Sequence, residues 1–323
     1  MRIASIWAAW ALALSTCLSA TAQSLLDAPE LDARGAYLQE MKAPLSFFKS
    51  GRLISFQTAE TEPQGQLNFR VAHRFGNIAT PGTTYHTLFG LDQVADIWLG
   101  LDYGLTDRWQ VGIARAKGAG PLNELWTAST KLRLPGDELA GMPIRLAVAA
   151  NATYSTQTAD PFVPGKELSA GPFARRGTYF AQFLAAAVPT ERLVVQLAPA
   201  WVWRNYVAPG DANGLLFLPL SARLKVSKRF SLTAEYAPLL AASGTEFRGG
   251  TTFWKNSVST WYAPLNLGLE METGGHVFQI SLSNTGGLLE NDMLPYNPYA
   301  WEKGAFRMGF AILRGFQVGK RRG

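Results

Sequence analysis

The chain has three histidines, His73, His86 and His276, and one cysteine, Cys17, the groups on which metal, haem or acid–base chemistry near neutral pH most often centres. They can be tested one at a time. His276 follows the Gly274-Gly275 pair and opens an alternating run, whereas His73 lies near the end of another. If both runs cross a membrane the two rings stand near opposite ends of a wall about 25 Å tall, too far apart to share an ion. A lipid-cleaving serine–histidine pair would need both groups within hydrogen-bond reach. Ser281 and Ser283 fall on the opposite parity to His276, and the chain has neither a Gly-Xaa-Ser-Xaa-Gly elbow nor a glycine-rich phosphate loop. No catalytic set, metal site or cofactor is therefore expected. What remains is charge at alternate positions: Arg70, Arg74, Lys131, Arg133, Arg145, Arg204, Arg223, Lys225 and Arg307, with Asp96, Asp102, Glu235, Glu270 and Glu272. Such a set on one face of a closed sheet could line a pore, and its excess of bases would favour anions. Paired across strands, the same charges would fill a closed interior that conducts nothing.

These charges need strands to hold them. Leu67, Phe69, Val71, His73 and Phe75 alternate with Asn68, Arg70, Ala72 and Arg74, the two-residue period that separates the faces of a strand. Leu105 closes a second such run from Ile97, with Trp98, Gly100, Asp102 and Gly104 opposite, and Phe306, Met308, Phe310 and Ile312 form one face of the last. The remaining strands are read at Trp109–Arg115, Leu122–Leu134, Ile144–Tyr154, Tyr179–Val188, Leu193–Tyr206, Gly214–Lys225, Phe230–Ala237, Leu265–Glu272 and His276–Asn284. The count is twelve, an even number as bacterial membrane barrels have. Connections alternate between short ones, such as Thr106–Arg108 and Thr273–Gly275, and long ones, such as Ser155–Thr178 and Pro238–Pro264. That rhythm separates a membrane barrel from a soluble β-sandwich and puts both termini at the short-turn, periplasmic end. Ala72, Gly100, Gly112, Ala147, Gly268 and Gly309 share the inward parity and leave room for water inside.

The chain opens with Arg2, an apolar run from Ile3 to Leu14 and the small residues Ala20-Thr21-Ala22, the layout of a secretory signal peptide cleaved before Gln23. The apolar core is shorter than the roughly 20 residues that span a bilayer. Cys17 would leave with it, and with it any disulfide or thiolate-bound metal. Loss of Arg2 takes the formal charge from +6 to +5, that is 29 basic minus 24 acidic residues, spread along the chain. Nucleic acid, which needs a concentrated basic surface, is not an expected partner. Residues 1–22 are thus the leader, 23–62 a periplasmic segment able to plug the lumen or to meet a periplasmic protein, and 63–323 the barrel. The apolar-basic stretch Phe47-Phe48-Lys49-Ser50-Gly51-Arg52-Leu53-Ile54 favours a docked segment over a loose one.

The stretches FGLDQVADIWLGLDYGLTDRWQVGIARA (Phe89–Ala116) and METGGHVFQISLSN (Met271–Asn284) resemble a family of outer-membrane β-barrels of Gram-negative bacteria, defined as a domain of unknown function. Similar stretches are Phe47–Glu60, Leu67–Gly76 and Leu224–Tyr236, so the resemblance covers most of the chain after Phe47. It implies an all-β, single antiparallel transmembrane barrel in the bacterial outer membrane, in contact with its lipid, and brings no substrate or catalytic residue.

Overall fold

The computed structural model describes residues 47–79, 85–136, 143–243 and 261–319. The expected leader, residues 23–46 and parts of the connections Gly76–Asp96, Pro135–Pro143 and Pro238–Pro264 lie outside them.

Alternating side chains form one antiparallel sheet that closes on itself. Its strands are β1 (Gln66–Asn77), β2 (Val94–Thr106), β3 (Trp109–Ala116), β4 (Leu125–Arg133), β5 (Ile144–Ser155) and β6 (Gly177–Thr190). Three strands follow in two pieces each: β7 (Leu193–Leu197 and Ala200–Arg204), β8 (Gly214–Phe217 and Leu220–Lys225) and β9 (Phe230–Tyr236 and Leu239–Ala242). The last are β10 (Leu265–Thr273), β11 (His276–Ser283) and β12 (Arg307–Gln317). Each strand pairs with its sequence neighbours, and β1 pairs with β12 as well, Val71 facing Ile312. The twelve strands thus make a barrel without a free edge.

Prolines explain the broken strands. Pro199, Pro219 and Pro238 stand at the breaks of β7, β8 and β9, where a residue without an N–H cannot donate to the ladder. Their carbonyls keep accepting, from Phe183, Ala198 and Leu218 at 2.9–3.0 Å. Several boundaries differ from the sequence reading, β2 beginning at Val94 and β6 running from Gly177 to Thr190 among them. Leu122 sits buried in the β3–β4 connection rather than in β4, and β9 resumes past Pro238.

One face of the wall is apolar and exposed, with Leu99, Ile113, Trp126, Leu267, Ile280 and Phe310 each at least 37% accessible. An apolar surface that encircles a molecule needs lipid rather than water around it. Trp109, Tyr179 and Tyr236 also stand exposed on this face, as interfacial rings do.

The opposite face surrounds a filled interior. Residues 47–65 enter at the β2–β3 turn, where Thr61 Oγ1 and the Gln64 amide donate to Asp107. They fold into a tight hairpin closed by Leu53 N to Phe56 O and Thr58 N to Gly51 O, both 3.0 Å. Phe47, Phe48, Leu53 and Phe56 are at most 3% accessible. From the long-connection end the β11–β12 loop folds inward over a short helix, α1 (Glu290–Met293), burying Leu289, Met293 and Leu294. The two insertions meet in the ion pair of Arg52 with Glu290, 2.8 Å and almost fully buried.

Candidate functional site

Lumen-facing charges hold the hairpin by its backbone. Arg70 donates through Nη2 to the Ile54 carbonyl at 2.6 Å and reaches the carbonyls of Arg52 and Leu53 at 3.4 Å. Lys131 Nζ donates to the carbonyls of Gly51, Thr58 and Glu60 at 2.7–3.1 Å. Glu235 does the converse, accepting the N–H groups of Ile54, Ser55 and Phe56 at 2.9–3.1 Å and the Asn266 amide at 2.8 Å. Gln64 and Gly65 meet Gly104 of β2, but no ladder to the wall is formed by residues 47–63, so these side chains satisfy polar backbone that burial would otherwise leave unpaired. Arg145 adds an ion pair, its Nη1 donating to both oxygens of the Glu60 carboxylate at 2.6 Å.

Glycines expected to leave room for water make room for protein. A Cβ on Gly268 would lie 2.9 Å from Ile54 Cδ1, and one on Gly104, an inward glycine outside that expected set, 2.1 Å from the Pro63 carbonyl oxygen. Above Gly100 lies the indole of Trp98, which turns inward at 5% accessibility, with the guanidinium groups of Arg52 and Arg70 5.4 and 5.7 Å from its ring centre.

The other expected lining residues divide by depth. Arg204 pairs with buried Asp211 at 3.2 Å, and Arg223 bridges Glu270 and Glu272, both at 2.7 Å. Asp96, fully buried, accepts the N–H groups of Gly118 and Leu288 at 2.8 and 2.9 Å and so anchors the β11–β12 loop. Arg74 donates to Ser55 Oγ at 3.1 Å, and Arg307 lies 3.6 Å over the Tyr299 ring. Asp102, Arg133, Lys225 and Glu272 are only half-buried, and Arg133 caps the β2–β3 turn at the Asp107 carbonyl, 3.2 Å away.

Sequence reasoning missed several of the groups that hold the two insertions. Gln196 accepts from Ala59 N and donates to Gln57 O, and Gln110 accepts from Glu62 N. Both glutamines have inward parity, but an uncharged amide gave no reason to single them out. Asp292 lies in a connection with no periodicity at all. It accepts the N–H groups of Ala119 and Gly120, both at 2.8 Å. Burial, together with the Asp96 charge, pushes its carboxyl up to about 7.

The histidines lie nearer each other than strand ends suggest. His73 pairs with Phe310 and His276 with Arg314, four residues apart on the intervening β12, which is about 13 Å of strand rise. Barrel strands are tilted and staggered, so equal positions in two runs are not equal heights. Ser281 and Ser283 are buried on the lumen side, away from the lipid-facing wall.

No curated protein matches the chain in sequence. Among solved structures it is similar to an outer membrane channel from Pseudomonas putida F1 (15% identity, TM-score 0.48, 80% of this chain and 98% of that one). It is also similar to the NanC porin (9%, 0.46, 77% and 98%) and to outer membrane phospholipase A from Escherichia coli (12%, 0.42, 79% and 94%). A family model described as "Membrane bound beta barrel domain (DUF5777)" matches residues 48–316, from the lumenal hairpin to the last strand. The chain belongs to this family of membrane-bound β-barrels and is a β-barrel of the bacterial outer membrane.

Proposed function

We propose that the protein is a non-enzymatic outer-membrane channel for small anionic solutes, held closed by its own hairpin, residues 47–65. The observation that carries this reading is how the hairpin is held. The wall closes through β1 and β12 without it, and its seat is made of charged side chains gripping backbone rather than of apolar packing alone. Burying charges to fill a core is unfavourable compared with apolar packing, whereas a polar seat can be rehydrated when its occupant leaves. Bases outnumber acids in that seat, which would give the opened path its preference.

The test is a reversal potential measured in planar bilayers under a potassium chloride gradient, on protein lacking residues 23–62. An anion-selective potential is expected. Cation selectivity would remove the anionic part of the reading, and silence would remove the channel.

A second reading draws on the same filled lumen: a docking barrel whose segment 23–62 engages a periplasmic protein. Lys49, about a third exposed and 3.1 Å from Glu272, lies nearest such a partner in the described part of that segment. Photo-crosslinking from position 49 that recovers one envelope protein, with no conductance from the truncated barrel, would favour it over the channel.

A further inference from the structure

Two buried arginines stand apart from the other lumenal bases. Arg70, Lys131, Arg145 and Arg223 all donate to oxygens of the hairpin or of wall carboxylates. Arg74, fully buried, has one partner, Ser55 Oγ at the hairpin tip, and its Nε and Nη1 have none among the described residues. Arg307, 6% accessible, lies with its guanidinium face on the Tyr299 ring, and its Nε and Nη1 likewise have none.

The register brings the two together. Arg74 faces Gly309 across the β1–β12 ladder, and Arg307 is the next inward residue along β12. A bulge between Arg74 and Asn77 pairs Arg307 with Asn77, and Arg307 stands two residues, about 7 Å of strand, from Gly309, within reach of two long side chains. Gly309 adds no side chain between them: Arg74 Nε, Ser281 Oγ and the His73 carbonyl oxygen bound the space where its Cβ would stand, at 3.4, 2.9 and 3.0 Å.

No acid among the described residues accepts a hydrogen bond from this pair. The charges that act most on Arg74 are Glu235, Arg307 and Asp96. Asp96 faces Arg74 across β1–β2, yet its two oxygens accept from Gly118 and Leu288. Glu235 accepts from the hairpin amides and Asn266. Two like charges in a buried interior, with four nitrogens that have no partner among the described residues, form an unfavourable arrangement that one shared acceptor of negative charge would relieve. Guanidinium groups meet flat or tetrahedral oxyanions through paired N–H bonds, which fixes the chemistry of that acceptor.

We propose that Arg74 and Arg307 form a buried oxyanion site, for a carboxylate, sulfate or phosphate group, where the barrel wall, the hairpin tip and the β11–β12 loop meet. The site does not depend on conduction and would exist in a barrel that never opens.

The test uses the full mature chain in detergent micelles, titrated calorimetrically with sulfate and separately with acetate at constant ionic strength. Saturable binding with one site per chain is expected for at least one of the two. Arg307→Gln should weaken it at least tenfold, Arg307→Lys should weaken it less by keeping the charge without the paired donors, and Arg192→Gln, in an exposed turn, should leave it unchanged. Heat-modifiable gel mobility shows that each variant is folded, and if Arg307→Gln fails there the lysine variant carries the comparison. Crystals grown with selenate, a sulfate analogue with an anomalous signal, should place the anion on both guanidinium groups. No saturable heat with either anion, equal affinity in the Arg307 and Arg192 variants, or water alone between the two arginines would overturn the proposal.

Discussion

Glu235 shows what a single side chain does in this interior, because one carboxylate accepts three consecutive N–H groups at the turn of the hairpin. Glu235→Ala leaves those donors buried without an acceptor, at about 1–3 kcal/mol for each that cannot relax. A loss of about 3–5 kcal/mol in urea unfolding from lipid vesicles is expected, as for a broken buried ionic contact, and an unchanged midpoint would contradict the role given to it. Gly104 offers a gentler test. A methyl group there would press on the Pro63 and Glu62 carbonyls at 2.1 and 2.5 Å, both backbone atoms that cannot turn aside. Gly104→Ala should therefore shift the hairpin's point of entry and make Phe47–Glu62 more open to protease, at a cost of about 1–3 kcal/mol. Much of this level was legible in the sequence, because strand parity alone puts Arg70, Lys131, Arg145 and Glu235 on the lumenal side. Their partners were not legible. Parity says which way a side chain points, whereas the hydrogen bonds of Arg70 and Lys131 end on backbone carbonyls of a segment that has no period.

At the scale of elements, the strands follow from alternation and the turns from length, but the three broken strands needed tertiary information. Pro199, Pro219 and Pro238 read singly as strand interruptions, and only the register shows three adjacent strands interrupted beside one another, with carbonyls that keep the ladder intact. The β11–β12 loop was legible only as a long connection. Its inward fold rests on Asp96, Asp292 and the Arg52–Glu290 pair, whose contacts span 172 to 238 positions of sequence. Asp292 gives this loop a pH dependence. Its carboxyl is raised from 3.8 in the unfolded chain to about 7 when docked, so the docked state binds the proton more tightly. Docking should accordingly be strongest at low pH and lose stability as pH rises from about 4 to about 7. Hydrogen exchange of residues 285–305 is expected to be slower at pH 5.5 than at pH 8.5 once corrected for intrinsic rates, and Asp292→Asn should flatten the difference. Stronger protection at pH 8.5 would reverse the assignment.

The molecule as a whole is a closed wall of twelve strands around an interior occupied from both ends. Apolar residues on the outer face and charges on the inner face prescribe the barrel, which is why family, fold and membrane were readable before any coordinates. Whether the interior is open was not readable in the same way. The residues that suggested water inside, Gly100 and Gly268 among them, are equally suited to receiving Trp98 and Ile54, and small size does not specify its neighbour. In the proposed channel, residues 47–65 close a path that the barrel would otherwise offer. Single-channel recording tests it most directly, comparing the full mature chain with the same chain lacking residues 23–62, both verified as folded barrels by heat-modifiable mobility. The full chain should be silent or open rarely and the truncated chain should give steady discrete steps; a folded truncated barrel that stays silent, or a full chain that conducts as well as the truncated one, would contradict closure by the hairpin.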